Sequence, residues 1–311
     1  MCQSVLKMRS GICSGGKMAE GKFKGLIALD LDGTVFNNEK KISAGNQAAI
    51  QEAVAMGYCV VPVTGRPISG IPQEMMRIQE IEYAVASNGA VIYHIEDFLQ
   101  KKWRRIYEDM LSDEKVLEVL EILKEYPVVP DCFVQGIGHM PEYGKELIPQ
   151  MGLPKVMSEY LLSGREFVPD LMEYVRQKEE KVEKITINFF LNEEGRRKKQ
   201  EAYRHLEQVE DITLVSGAPH NLEVNTLTAR KGNGMLKLAQ LLGISPDRTM
   251  ACGDDCNDMD MVVKAGFGVA MGNASEVLKK EADFITLSNE EDGAAVAIHE
   301  FILNNANICQ N

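Results

Sequence analysis

From Phe23 onward, short continuous apolar runs alternate with stretches of mixed polarity. FKGLIALDL (23–31) predicts a buried strand, and SAGNQAAIQEAVAMG (43–57) predicts a helix with Ser43 as N-cap and Gly57 as its C′ stop. YCVVPVTG (58–65) predicts a second strand, ISGIPQEMMRIQE (68–80) a helix after Pro67, and YAVASNG (83–89) a third strand. Strands apolar on both faces that alternate with helices imply a parallel sheet covered on both sides.

The same grammar returns near the C-terminus. KGNGMLKLAQLLG (231–243) reads as helix, RTMACGDD (248–255) as strand, NDMDMVVKAG (257–266) as helix and GFGVAMG (266–272) as strand. SEVLKKEA (275–282), FITLS (284–288) and DGAAVAIHEFILNN (292–305) follow as helix, strand and helix, so two distant halves of the chain are expected to build one sheet. Between them the character changes. Charged amphipathic helices, SDEKVLEVLEILKEY (112–126) and EEGRRKKQEAYRHLEQV (193–209), alternate with isolated strands such as KITINFFL (184–191) and ITLVSG (212–217). The expected organisation is an α/β core over 23–91 and 221–311, an inserted α+β domain over 92–220 with linkers near Tyr93 and Pro219, and a disordered extension over 1–22.

Composition narrows the partners. The 311 residues carry 34 Lys+Arg against 46 Asp+Glu, a net charge of −12. With no dense basic tract, nucleic acid and anionic membranes are not expected as partners, because neutralising phosphates takes clustered cations. An anionic substrate must then be met by locally placed cations. No apolar run approaches the roughly 18 residues of a membrane span. The start of the chain lacks an apolar h-region and a Gly at position 2, and Met8 or Met18 could serve as alternative starts. Seven cysteines without regular spacing make no disulfide framework and point to a reducing, cytoplasmic setting.

Candidate chemistry collects at strand ends. Asp30 and Asp32 close the first strand, and positions i and i+2 of a strand project to one side. Two converging carboxylates ask for a metal or a shared proton, whereas a single strand-end Asp would only cap the next turn. Thr64, Gly65 and Arg66 end the second strand, where a hydroxyl and turn amides could hold a phosphate oxygen or simply make a turn. Ser87, Asn88 and Gly89 end the third with the same two readings. Asp254, Asp255, Asn257 and Asp258 cluster after TMAC, a density of hard oxygen ligands that suits Mg²⁺, although one Asp could instead cap the helix beginning near Asn257. Lys231 either reaches an anion at a helix N-terminus or is solvated.

In this order, Asp30-Leu31-Asp32-Gly33-Thr34, Thr64-Gly65-Arg66, Lys231-Gly232 and Gly253-Asp254-Asp255-Cys256-Asn257-Asp258 resemble the four motifs of the haloacid dehalogenase superfamily of phosphatases. Ser87-Asn88-Gly89-Ala90 and the long insert after it are similar to the Cof-type, type IIB branch. The resemblance implies a Rossmann-like parallel core with an α+β cap inserted between the second and third motifs. It makes Asp30 the nucleophile that takes the phosphoryl group, and Asp32 the general acid/base. Thr64 and Gly65 fall to phosphate binding with Lys231 and Asn257. A Mg²⁺ site then falls to Asp30, Asp32, Asp254 and Asp258, and Arg66 and Asn88 become candidate substrate contacts. Proton retention on Asp32 would be favoured by a neighbouring carboxylate and partial burial. The implied activity is Mg²⁺-dependent hydrolysis of a small phosphorylated metabolite, such as a sugar phosphate, through an aspartyl phosphate. A phosphomutase of the same family, or a non-catalytic sensor of phosphometabolites, is the alternative.

Other features carry less. GFGVAMG has the wrong spacing for a dinucleotide loop and reads as a strand, and no P-loop is present. Arg196 to Lys199 lie among glutamates and read as a solvated helix face. Cys256 is expected as a packing residue. The segment Gly136-Ile137-Gly138-His139 is read as an ordinary surface loop, or as one that reaches a substrate pocket.

Overall fold

A computed structural model describes residues 22–78 and 81–308. The extension expected over 1–22 therefore lies outside the described residues except for Lys22, as do Cys2, Cys13 and Cys309. In chain order the strands are β1 (Leu26–Leu29), β2 (Cys59–Pro62), β3 (Tyr83–Ala86), β4 (Val91–Asp97), β5 (Lys102–Glu108), β6 (Val129–Val134) and β7 (Ile137–Pro141). They continue with β8 (Arg165–Val168), β9 (Lys184–Asn188), β10 (Ile212–Val215), β11 (Asn221–Thr226), β12 (Thr249–Gly253), β13 (Phe267–Ala270) and β14 (Phe284–Ile285).

The chain divides into two compact units. One takes the described residues of Met1–Val63, Gln73–Ala84 and Lys231–Asn311, and the other takes Thr64–Pro72 and Val85–Arg230. In the first, the sheet order is β14-β13-β12-β1-β2, with every pairing parallel. The two halves of the sequence thus meet in one sheet. β1 and β12 lie side by side at its middle, and the connections leave them in opposite directions, the place where open α/β sheets bind ligands. Both β1 and β2 are buried at all four positions, as their uninterrupted apolar runs require. The helix Ala44–Ala55 starts at Ser43, whose side chain accepts from the Asn46 N–H, and Gly57 behind it adopts φ +89°.

The expected helix over 68–80 is not continuous. A 3₁₀ turn, Ile68–Gly70, stops at Ile71, and a single helical turn, Gln73–Met76, follows. Pro72 is the cause: it disfavours helical backbone at Ile71, which sits at φ −71°, ψ 126°.

In the second unit a six-stranded sheet runs β10-β11-β9-β6-β7-β8, antiparallel except for β7 with β8. The helix Asp113–Leu123 buries Val116, Val119, Leu120 and Leu123 at helical spacing, and it packs in one apolar core with Leu171, Val175, Ala202 and Leu206. A second core joins Val129, Met140 and Ile148. β11 lies between β9 and β10, so residues that the sequence reading assigned to the core over 221–311 are hydrogen-bonded into this sheet. Gly136 to His139 form no free loop. Gly136 turns a hairpin at φ +76°, and β7 begins at Ile137 because it pairs with β6 and β8. β3, β4 and β5 make a further three-stranded sheet. Among the described residues no helix is long and apolar enough to cross a membrane.

Candidate active site

Asp30 stands immediately after β1, and its N–H donates to the Cys252 carbonyl at 3.0 Å, which ties the end of β1 to that of β12. The chain then turns at once: the N–H groups of Thr34 and Phe36 both donate to the Leu31 carbonyl, and Gly33 takes φ +85°. β1 ends at Leu29, so the regular strand from which Asp30 and Asp32 were expected to project stops short of both. Asp30 is buried, whereas the Asp32 side chain is 38% exposed and accepts from Lys40 Nζ at 2.8 Å. A cation is thus among the partners of Asp32, where the sequence suggested a neighbouring carboxylate.

Asp254 follows β12. Its Oδ1 accepts from Thr34 Oγ1 at 3.3 Å, and its Oδ2 lies 3.5 Å from Asn273 Nδ2. A side chain at Gly33 would overlap the Asp254 carboxylate, so that position needs glycine for both its φ and its space. The next turn is a 3₁₀ helix, Cys256–Asp258, with Asp255 as its N-cap and Asp258 completing a capping box. Asp255 caps, while Asp258 is fully buried. Asp258 Oδ2 accepts from the N–H groups of Asp254 and Asp255 at 3.0 Å each. Asn257 is half-buried in the same turn. Cys256 is exposed, contrary to the packing role expected; the buried cysteine here is Cys252.

Lys231 opens the helix Lys231–Leu241 and is not solvated. Its ammonium donates to Asp30 Oδ1 at 2.7 Å and to Asp258 Oδ1 at 2.6 Å, with the side chain 2% exposed. Burial alone would lower the Lys231 pKa, but the Asp258 and Asp30 carboxylates outweigh it and hold the ammonium above its ordinary value. Asp30 is held well above the usual carboxylate range by burial and by the charges of Asp258 and Asp254, with Lys231 opposing. Asp254 is pushed up to about 7, first by burial and then by Asp258.

Besides burial, these shifts share one cluster of charges. Oxygens of Asp30, Asp254 and Asp258 lie within 4.8 Å of one another, and three carboxylates against one ammonium leave −3 + 1 = −2 when all are ionised. An all-carboxylate, partly buried donor set with an unbalanced double charge fits a hard divalent cation such as Mg²⁺. Asp258 commits one oxygen to Lys231 and the other to two backbone donors. Asp254, whose carboxylate is held among the described residues by contacts of 3.3 and 3.5 Å, is less committed. Asp32 is outside this group of carboxylates.

The remaining candidates belong to the other unit and are built on backbone turns. The Thr64 N–H donates to the Val85 carbonyl, the Asn88 N–H to the Thr64 carbonyl and the Ser87 N–H to the Arg66 carbonyl, at 2.9 to 3.0 Å. These bonds hold the turns 64–66 and 87–89 together, with Asn88 at φ 61°. Thr64 Oγ1 accepts from the Arg66 N–H at 3.2 Å, and the Arg66 guanidinium donates to the Gly70 carbonyl at 3.1 Å and lies over the Tyr160 ring. Sequence reasoning missed the side chains that grip these turns, namely Glu183, Lys184, Glu223 and Asn225, all buried. Lys184 begins a strand read as apolar, and a charge at a strand end ordinarily signals solvent. Only its setting beside the equally undistinguished Glu223 gives it meaning.

The description of haloacid dehalogenase-like hydrolases matches residues 27–298. Phosphatase YwpJ of Bacillus subtilis is 31% identical over 288 residues, covering 87% of this chain and 97% of the relative. From the same organism, 5-amino-6-(5-phospho-D-ribitylamino)uracil phosphatase YcsE is 26% identical over 89% of this chain and 96% of its own. A solved haloacid dehalogenase-like hydrolase from Bacillus subtilis matches with a TM-score of 0.76 at 30% identity, covering 88% of this chain and 99% of that one.

Proposed function

Because the chain belongs to the haloacid dehalogenase superfamily and is a Cof-type phosphatase of it, we propose that it hydrolyses the phosphomonoester of a small metabolite, a sugar phosphate or a compound of similar size, with Mg²⁺ as cofactor. The observation that carries this reading is the unbalanced group of Asp30, Asp254 and Asp258 around the single ammonium of Lys231. YcsE, named for a phosphoribityl compound, supports a substrate of that size and polarity.

The proposed chemistry runs in two displacements. An Asp30 oxygen forms a bond to phosphorus as the ester oxygen leaves, and Asp32 gives that oxygen a proton. Asp32 then takes a proton from water, whose oxygen attacks phosphorus and releases inorganic phosphate while Asp30 is regenerated. Lys231 holds Asp30 in place and offsets the repulsion between a carboxylate and a phosphate dianion, and Asp258 holds Lys231. Bound Mg²⁺, on Asp30 and Asp254 with Asp258 in support, would add Lewis-acid neutralisation of the phosphoryl charge. Thr64 and Gly65 bind phosphoryl oxygens with Asn257, and Arg66 and Asn88 contact the substrate. The inserted segment, expected over 92–220, takes the family's cap role.

A panel of sugar phosphates, nucleotides and pyridoxal phosphate, assayed for inorganic phosphate, tests the reading. Activity should require Mg²⁺ and be abolished by EDTA, since uncompensated carboxylates repel the substrate. Full turnover in metal-free buffer contradicts it, and transfer of phosphate to a second sugar without hydrolysis would mark a mutase.

A further inference from the structure

Glu183 and Lys184 are consecutive residues, and between them they grip both turns that the sequence marks for phosphate and substrate. Glu183 accepts from Ser87 Oγ at 2.6 Å, from the Tyr93 hydroxyl at 2.8 Å and from the Gly136 N–H at 2.7 Å. Lys184 donates to the Gly65 carbonyl at 2.5 Å and pairs with Glu223 Oε1 at 2.8 Å. Glu223 Oε2 accepts in turn from Asn88 Nδ2 at 2.6 Å. The Lys184 side chain is 1% exposed. Burying an ammonium and its carboxylate brings no stability that a well-packed apolar pair would not match. Its contact with backbone gives the burial a different use.

We propose that Lys184 is a positioning residue for phosphate binding, acting on Thr64 through the peptide that joins Gly65 to Arg66. The carbonyl and N–H of a trans peptide point in opposite directions, so fixing the Gly65 carbonyl fixes the Arg66 N–H. That N–H donates to Thr64 Oγ1. A hydroxyl that accepts on its oxygen still has its one hydrogen to give, and the Thr64 hydrogen is thereby reserved for a phosphoryl oxygen. The grip is close because residue 65 has no side chain: a Cβ there would stand 2.8 Å from Asn88 Oδ1 and 3.3 Å from Lys184 Nζ. The inference rests on the reading of Thr64 as a phosphate-binding residue.

The test uses the full chain and inorganic phosphate as competitive inhibitor. Lys184→Met combined with Glu223→Gln removes both charges of the buried pair, an exchange that tends to leave stability unchanged or raised, and the melting temperature verifies the fold. The inhibition constant for phosphate should rise roughly tenfold, the scale of one hydrogen bond to a charged group, with KM rising more than kcat falls. In a Thr64→Val background the same pair should add nothing further. Should the pair melt early, Lys184→Gln with Glu223→Gln, whose amides can bond to each other, gives the same readout. A folded pair variant with wild-type phosphate inhibition, or one equally impaired with and without Thr64, overturns the role of Lys184. If Thr64→Val itself leaves phosphate inhibition unchanged, the reading of Thr64 fails and this inference falls with it. If Thr64→Val weakens phosphate and the pair does not, only the inference falls.

Discussion

Asp30 and Asp258 share the ammonium of Lys231, with the Asp254 carboxylate close to both, whereas among the described residues the buried acids of the other unit each have partners of their own. Glu223 is matched by Lys184, and Asp131 by Arg165 at 2.6 Å. Glu183 is met by two hydroxyls and a backbone N–H. Buried charge is costly until compensated. The second arrangement is compensated by its own side chains and backbone, and the first keeps more carboxylates than cations. Burial raises proton affinity in both arrangements: at Asp30 and Asp254 the neighbouring Asp258 carboxylate adds to it, whereas at Asp131 the Arg165 guanidinium opposes it. Imbalance rather than the number of charges separates the first arrangement from the second.

The largest effect expected from this contrast is at Asp30. Asp30→Asn should lower kcat by at least roughly 10³, because an amide keeps the shape but cannot form the acyl phosphate. A variant that keeps a tenth of wild-type turnover would remove Asp30 from the chemistry.

Neutralising a pair in each unit should sharpen the comparison. Lys231→Met with Asp258→Asn should cost roughly 10² or more in kcat, since Asp30 loses its cation. Asp131→Leu with Arg165→Met should leave kcat within roughly threefold, because a matched buried pair can be exchanged for apolar packing. Equal losses from the two exchanges would erase the distinction drawn between them.

The smallest effect concerns stability against pH. In metal-free protein the folded state keeps on Asp254 a proton that the unfolded chain gives up near 3.8, so stability is fully present below that value and is lost as pH rises through about 7. Melting temperatures in EDTA should fall between roughly pH 4 and pH 7 and level off above, and Mg²⁺ should recover the loss at the upper end. Asp254→Asn should flatten the fall. A fall unchanged by that substitution would assign the effect to other groups.

Much of this was legible in the chain itself. The apolar runs of β1, β2, β12 and β13 declared a parallel sheet because strands buried on both faces have no polar alternation to blur them. Asp30, Lys231, Asp254 and Asp258 were legible because each adjoins an element that the apolar pattern locates. Less legible was what depends on a break in local geometry. Pro72 interrupts the helix expected over 68–80, and Lys40, eight residues on, pairs with Asp32 beyond the end of β1. Of the strands missed from β4 to β8, β5 and β8 sit in mixed burial, whereas β6 and β7 are buried but carry Pro130 and Asp131 or Gly138 and His139 in place of an apolar run. Lys184 was hidden for a further reason: its partners Gly65 and Glu223 are 119 and 39 residues away, and no short window contains them.

The covalent step at Asp30 is tested most directly with Asp32→Ala and p-nitrophenyl phosphate. Its nitrophenolate leaves without needing a proton, so transfer to Asp30 should proceed, while hydrolysis of the phosphoenzyme, which needs Asp32 as base, should stall. Rapid mixing should give a burst of nitrophenolate of about one equivalent followed by slow turnover, and quenched enzyme should carry phosphate on the peptide containing Asp30. No burst, with no phosphate on Asp30 in quenched enzyme, would contradict the aspartyl-phosphate mechanism.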